Sequence, residues 1–278
     1  MKKKLALVLI LCLSLGLMFG CGGTAKEEPA PDKEPAAAAD ESLTKIEDQG
    51  YFVVGLDDAF PPMGYREEGT NEIIGFDIDL AKEVASRMGV EVKFQPVIWD
   101  TIIEELNGGN IDVIWNGLTI TPERQEKIIF SEPYLDNAQI IIVQKGSGIK
   151  TKADLAGKTI GLQGGSSAMN AVQADKATFD SFGDLVEFAS NDEALLDLAA
   201  GRLDAVVVDQ IVGRYYIAKK ADVYEVADED FGAEEFGVGF RKDDVAFRDK
   251  VQATLDEMKA DGKSAEISQK WFGADIVK

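Results

Sequence analysis

Four groups of residues in this chain have the types and spacing for polar chemistry. The first is Asp57-Asp58-Ala59-Phe60-Pro61-Pro62, two acids and an aromatic ring on a proline-stiffened loop. Such a loop suits the clasping of a polar or cationic group; a solvated turn has the same composition. The second runs from Asn116 to Arg124. Within it Thr121 reads as an N-cap and Pro122 as the first helical residue. Arg124 then falls in the first helical turn, where a cation opposes the helix dipole. That position suits an arginine turned back toward an anion, because a guanidinium grips a carboxylate through two parallel hydrogen bonds. A salt bridge to a neighbouring acid is the alternative. The third group, Gly161-Leu162-Gln163-Gly164-Gly165-Ser166-Ser167, joins a strand to a helix and offers backbone N–H groups to an anion. It has neither the GxGxxG order nor the Gly-Lys-Ser/Thr ending of nucleotide-binding loops. The fourth is Asp209, at the end of the apolar run Ala205 to Val208, placed to accept from an ammonium group; a plain N-cap looks the same in sequence. An arginine, backbone donors and an aspartate together make a receptor for a zwitterion.

The elements that must position these groups follow an α/β pattern from Leu43 onward. Phe52 to Gly55 reads as a buried strand, and apolar residues at 76, 80, 84 and 88 mark a helix over Phe76 to Met88. Val92 and Phe94 alternate as in a strand. Trp99, Ile102, Ile103 and Leu106 mark a helix ending at Gly108-Gly109, and Ile111 to Trp115 and Gln139 to Val143 read as strands. A second round begins with a strand over Lys158 to Leu162 and a helix from Ser167. A strand at Val186 to Phe188, a helix capped by Asn191 and a strand at Leu203 to Val208 follow. The strand Gly237 to Phe240 and two helices between Asp244 and Phe272 end the chain. The two rounds resemble each other: Gly109-Asn110-Ile111-Asp112-Val113 matches Gly201-Arg202-Leu203-Asp204-Ala205, and Phe52 to Gly55 matches Lys158 to Gly161. Ligands of open α/β sheets sit beyond the carboxyl ends of the strands, so two facing lobes would surround one cleft with those ends.

Composition narrows the chemistry further. The 278 residues contain no histidine and two cysteines, Cys12 and Cys21. This excludes Ser-His-Asp and Cys-His catalysis and ordinary zinc sites in the body of the chain, and neither a metal nor a cofactor is expected. Residues 1–20 read as a signal peptide: Lys2-Lys3-Lys4, then an apolar core from Leu5 to Phe19, too short for a membrane span. Gly20-Cys21-Gly22-Gly23 resembles a bacterial lipobox, which makes Cys21 the expected lipidation site. The stretch 21–42, rich in Ala, Pro, Glu, Lys and Asp, reads as a tether that cannot bury a core. Without the leader the chain has 26 basic and 50 acidic residues, a net charge of −24, which disfavours nucleic acid and anionic lipid surfaces as partners.

Gly75-Phe76-Asp77-Ile78-Asp79-Leu80, followed by Val84-Ala85, resembles the signature of the polar amino-acid family of bacterial extracellular solute-binding proteins. Asp112 to Arg124 is similar to that family's arginine-bearing segment. Phe130-Ser131-Glu132-Pro133-Tyr134, Asp154-Leu155-Ala156-Gly157-Lys158, Gly201 to Ala205 and Lys270-Trp271-Phe272 fit later landmarks, over residues 43 to 275 in order. The resemblance implies a two-lobed periplasmic-binding-protein fold with two hinge strands. Lobe 1 is expected to comprise 43–134 and 240–278, and lobe 2 135–239. It also implies a monomer, anchored outside the bacterial membrane through Cys21, that hands a free amino acid to an ABC permease complex. By position, Arg124 would hold the ligand's α-carboxylate with Thr119 and the Ser166 backbone, and Asp209 the α-ammonium. Asp57, Phe60, Asn116 and Gly117 would line the pocket, with Gln163 and Ser167 from the other lobe. Asp77 and Asp79 read as helix-start acids. Phe60 and Trp115 are expected to stack on a flat side chain, and with Asp57 they favour cationic amino acids, then glutamine, with acidic ones last. Cystine stays open as a ligand. Enzymes on this fold, such as periplasmic cyclohexadienyl dehydratases acting on arogenate or prephenate, and ligand-presenting sensors are the alternatives to a transport role.

Overall fold

The computed structural model describes residues 40–278; the expected leader, Cys21 and most of the tether lie outside the described residues. Among the described residues no helix is long and apolar enough to cross a membrane.

The chain opens with helix α1 (Ser42–Gln49) and strand β1 (Tyr51–Leu56), then a small antiparallel sheet of β2 (Ala59–Phe60), β3 (Gly64–Arg66) and β4 (Ile73–Ile74). Helix α2 (Phe76–Met88), strand β5 (Glu91–Pro96), helix α3 (Ile102–Asn107), strand β6 (Val113–Ile114), the single turn α4 (Pro122–Gln125) and strand β7 (Ile129–Phe130) follow. The middle of the chain holds β8 (Leu135–Gln144), β9 (Thr159–Gln163), α5 (Ser167–Ala174), α6 (Lys176–Phe179), β10 (Asp184–Phe188), α7 (Asn191–Ala199), β11 (Ala205–Asp209), α8 (Gln210–Lys219) and the long β12 (Tyr224–Phe236). The chain then returns through β13 (Gly239–Phe240) to α9 (Val245–Ala260) and α10 (Lys263–Phe272).

Two five-stranded sheets result, in the orders β5-β1-β6-β13-β7 and β10-β9-β11-β8-β12. Each has a parallel core, β5-β1-β6 and β10-β9-β11, built from strand–helix–strand units. In each sheet a strand from the far side of the chain joins antiparallel: β13 on β6, and β8 on β11. The architecture is α/β and two-lobed. The chain passes between the sheets twice, from β7 to β8 and from β12 to β13. The two passages bond to each other: Ser131 N–H donates to Val238 O and Tyr134 N–H to Phe236 O, both at 2.9 Å.

The short repeat has a physical counterpart. Asp112 accepts the Val53 N–H at 3.0 Å and its own N–H donates to Val53 O at 2.8 Å. Asp204 does the same with Thr159, at 2.9 Å in both directions. In each lobe this aspartate fastens the start of the third parallel strand to the first. β6 itself covers only two of the five residues Ile111 to Trp115, because β1 and β13 meet it over so short a register. Asn191 is not the cap of α7. Ser190 holds that place, and the buried Asn191 side chain instead donates to Gln163 Oε1 at 2.8 Å.

Candidate functional site

Strand ends and loops from both lobes meet along one seam. At one end of it, Asp57 leaves β1 with its backbone N–H donating to Asn116 Oδ1 at 3.1 Å. Its carboxylate accepts from Ala59 N–H at 2.8 Å and, across the seam, from Gln163 Nε2 at 2.7 Å. Burial pushes the Asp57 carboxyl up, against the pull of those two donors. The Phe60 and Trp99 rings lie parallel beside it, 3° apart in orientation with centroids at 6.3 Å. Gly117 is required here: its φ is +61°, and a Cβ would come within 2.7 Å of Phe60 Cε1.

At the other end, Thr121 caps α4 as expected, its side chain accepting from Arg124 N–H at 3.1 Å. The turn swings the Arg124 guanidinium back over the seam, where it donates to Thr119 O at 2.9 Å and to Gly165 O at 3.0 Å. Its Cζ stands 6.0 Å from the Trp99 ring centre. Gly165 lets the Asp100 backbone of the other lobe come close: a Cβ there would lie 2.6 Å from Asp100 Cα. Ser166 begins α5 without closing its N-terminus, because its hydroxyl donates back to Gln163 O at 2.7 Å. The buried Ser167 hydroxyl meets that of Thr119 at 3.0 Å. Asp209 stands at the N-cap position of α8 but makes no capping bond. Its carboxylate turns inward to accept from Asn137 Nδ2 at 2.5 Å and Gln139 Nε2 at 2.8 Å. Burial, then the charge of Glu234, raise the Asp209 carboxyl to about 7, while Arg124 and the two amides pull it down. Ten of the eleven residues singled out in the sequence thus line one seam, in two clusters.

Trp115 is the exception. It is fully buried in the core beside Tyr134, ring centroids 6.4 Å apart, so the ring that faces Phe60 is that of Trp99. Asp77 also departs from expectation. It is a buried bracket as well as a helix-start acid: one oxygen accepts from Gly117 N–H at 2.8 Å and from Tyr134 OH at 2.9 Å. Burial raises its carboxyl to about 7, and the donors around it pull it back. Asp79, by contrast, stays at the surface end of α2 and accepts from Trp271 Nε1 at 2.8 Å. Asp77→Ala strands both donors of the bracket. A stability loss of roughly 2–4 kcal/mol is expected by thermal unfolding, and a smaller one for Asp77→Asn, which keeps an acceptor oxygen.

Four residues at the seam went unpredicted: Trp99, Asn137, Gln139 and Glu234. The alternation of Asn137 and Gln139, leading into the apolar run Ile140 to Val143 of β8, was a readable signal, since a buried strand carries polar side chains only where they have partners. Glu234 sits within an acid-rich stretch and had none.

The L-cystine-binding protein TcyJ of Escherichia coli K12 is 34% identical over 86% of this chain and 90% of its own length. The ABC transporter glutamine-binding protein GlnH of Bacillus subtilis is 32% identical over 99% of both. The crystal structure of an ABC uptake transporter substrate-binding protein from Streptococcus pneumoniae with bound histidine superposes with a TM-score of 0.82 at 36% identity, covering 86% of this chain and 99% of that one. Residues 52–274 match the model of one family throughout, and the chain belongs to the bacterial extracellular solute-binding proteins, family 3.

Proposed function

We propose that this protein captures a free polar amino acid outside the cytoplasm and delivers it to an ABC importer, binding it without catalysis. The observation that carries the reading is a set of charges with no countercharge. Among the described residues, Arg124 has no carboxylate within ion-pair distance, and neither Asp57 nor Asp209 has a cation. Such groups are kept at low solvent access only where something completes them. An amino acid does so at both ends: its α-carboxylate on the Arg124 fork, Thr119 and the open start of α5 at Ser166 and Ser167, its α-ammonium on Asp209. The side chain then enters the space edged by Asp57, Phe60, Trp99, Asn116, Gly117 and Gln163. The two relatives named above are both binding proteins, which favours this reading over an enzyme.

In this proposal the lobes divide at 134/135 and between Phe236 and Gly239, one residue before the expected 239/240 boundary because Gly239 already pairs with Ile114 and Phe130, and they rotate about the two passages. Opening separates Asp57 from Gln163 and Arg124 from Gly165. Lipidated Cys21 would hold the protein at the cell membrane, within reach of the permease. A thermal-shift screen of the mature protein against the twenty amino acids tests the core claim. A ligand at ~100 times its dissociation constant stabilises by roughly 2.7 kcal/mol; a screen with no shift for any amino acid would sink it.

The raised Asp209 carboxyl adds a pH signature. Its proton competes with the ligand's ammonium, so binding is full above about pH 7 and weakens as pH falls below it. The expected loss approaches ~tenfold per pH unit if one proton must leave on binding. Calorimetry from pH 5 to 8 measures this, and affinity that rises toward acid pH would contradict it.

A further inference from the structure

Glu234, an acid at the seam, has no role in the reading above. It lies on β12, two residues before the chain crosses back to the first sheet. Its Oε2 accepts from four donors: Thr119 Oγ1 at 3.1 Å, Asn137 Nδ2 at 3.1 Å, Gln139 Nε2 at 2.9 Å and Ser167 Oγ at 3.0 Å. Two of these, the Asn137 and Gln139 amides, are the same ones that bond Asp209 Oδ1. The two carboxylates therefore share their donors and stand side by side. All the donors are neutral. Among the described residues Glu234 has no ion-pair partner, and its Oε1 makes no hydrogen bond.

Two adjacent carboxylates bridged only by amides and hydroxyls repel each other, and the arrangement is completed by a cation between them. We propose that Glu234 is a specificity residue of the amino-acid site, its carboxylate pairing with that of Asp209 to form a double acceptor for the ligand's α-ammonium. The proposal rests on the binding function given above. It differs from a merely structural role, in which Glu234 would only knot β12 to Thr119 and Ser167. The charged groups facing Asp209 are Glu234 from β12 and Arg124 from α4, and Arg124 in turn feels Glu123. Removing the Glu234 charge removes a repulsion from Asp209, so the Asp209 proton leaves at lower pH.

The test compares wild type with Glu234→Gln, which keeps the side chain's size and an acceptor oxygen, and with Asp209→Asn. Binding of the amino acid found in the thermal-shift screen is measured by calorimetry from pH 5 to 8, alongside its N-acetylated form, which lacks the ammonium. Glu234→Gln is expected to bind the free amino acid at least tenfold more weakly. Its pH midpoint is expected to move to the acid side, and the advantage of the free over the N-acetylated form to shrink. The midpoint shift follows from the charge change alone, whereas a structural knot would leave the advantage of the free over the N-acetylated form where it is in wild type, and such a result overturns the proposal. So does unchanged or tighter binding by Glu234→Gln. If Asp209→Asn then still loses binding, the binding function and the Asp209 role survive while the Glu234 role falls. If wild type binds no amino acid, both fall. Melting curves of each variant confirm that it is folded.

Discussion

Arg124→Ala is expected to remove ligand binding almost entirely. The two terminal guanidinium nitrogens of Arg124 donate to carbonyl oxygens, one from each lobe: Thr119 O and Gly165 O. These are weak substitutes for a carboxylate. Burial works against the arginine's charge, and Asp209, Glu234 and Glu123 offset this in turn. A bound amino acid would supply the missing anion. Truncating Arg124 leaves that anion desolvated without its charged partner, at a cost of about 2–5 kcal/mol, or roughly 30- to 4,000-fold in affinity. Arg124→Lys is expected to recover little, because a single ammonium cannot reproduce two parallel donors aimed from a planar fork. The fold should survive either change: the cap of α4 uses the backbone N–H of residue 124, not its side chain. Calorimetry decides, and binding by Arg124→Ala within twofold of wild type would show that the carboxylate is held elsewhere.

The placement of Arg124 was legible because Thr121 and Pro122 fix the helix start by local chemistry alone, and no tertiary contact is needed to read it. The same holds for α2, whose apolar stripe at 76, 80, 84 and 88 returns the observed bounds Phe76–Met88. What failed did so where two faces of one segment look alike. Trp115 and Trp99 are both tryptophans at the end of apolar runs; only the packing of β6 under Tyr134 sends the first into the core and leaves the second opposite Phe60. Asn191 has the residue type of a cap, yet its side chain is drawn off by Gln163 from β9, a partner 28 residues away. Asp77 looks like any acid in a first helical turn, and its second role depends on the Gly117 loop reaching it across 40 residues. Glu234 was hidden for the same reason. Its four donors come from three segments, and no spacing within the acid-rich stretch around it records them.

Arginine, lysine or histidine is expected to displace a bound reporter at the lowest concentration, glutamine next, and aspartate or glutamate last. The side-chain end of the seam has one unpaired acid, Asp57, and no basic residue within ion-pair distance of it among the described residues. Its present partner is the neutral Gln163 amide at 2.7 Å, a bond that a cationic side chain can replace with a stronger one. The parallel Phe60 and Trp99 rings, 6.3 Å apart, add two π-faces next to it, suited to a planar guanidinium, imidazole or amide that enters as the lobes part and close. Glutamine can take the place of Gln163 as a donor to Asp57 but brings no charge. Glutamate brings a carboxylate beside Asp57, in a seam that already holds Asp209 and Glu234 near Arg124. The penalty of like charges at close quarters is about 2–4 kcal/mol, or roughly 30- to 1,000-fold against arginine. Asp57→Asn sharpens the test. It should erase most of the advantage of arginine over glutamine while leaving glutamine binding nearly as it was, because an asparagine oxygen still accepts from an amide. Tight glutamate binding with none of arginine would refute the assignment, and an Asp57→Asn protein that keeps the full preference for arginine would move the source of that preference away from Asp57.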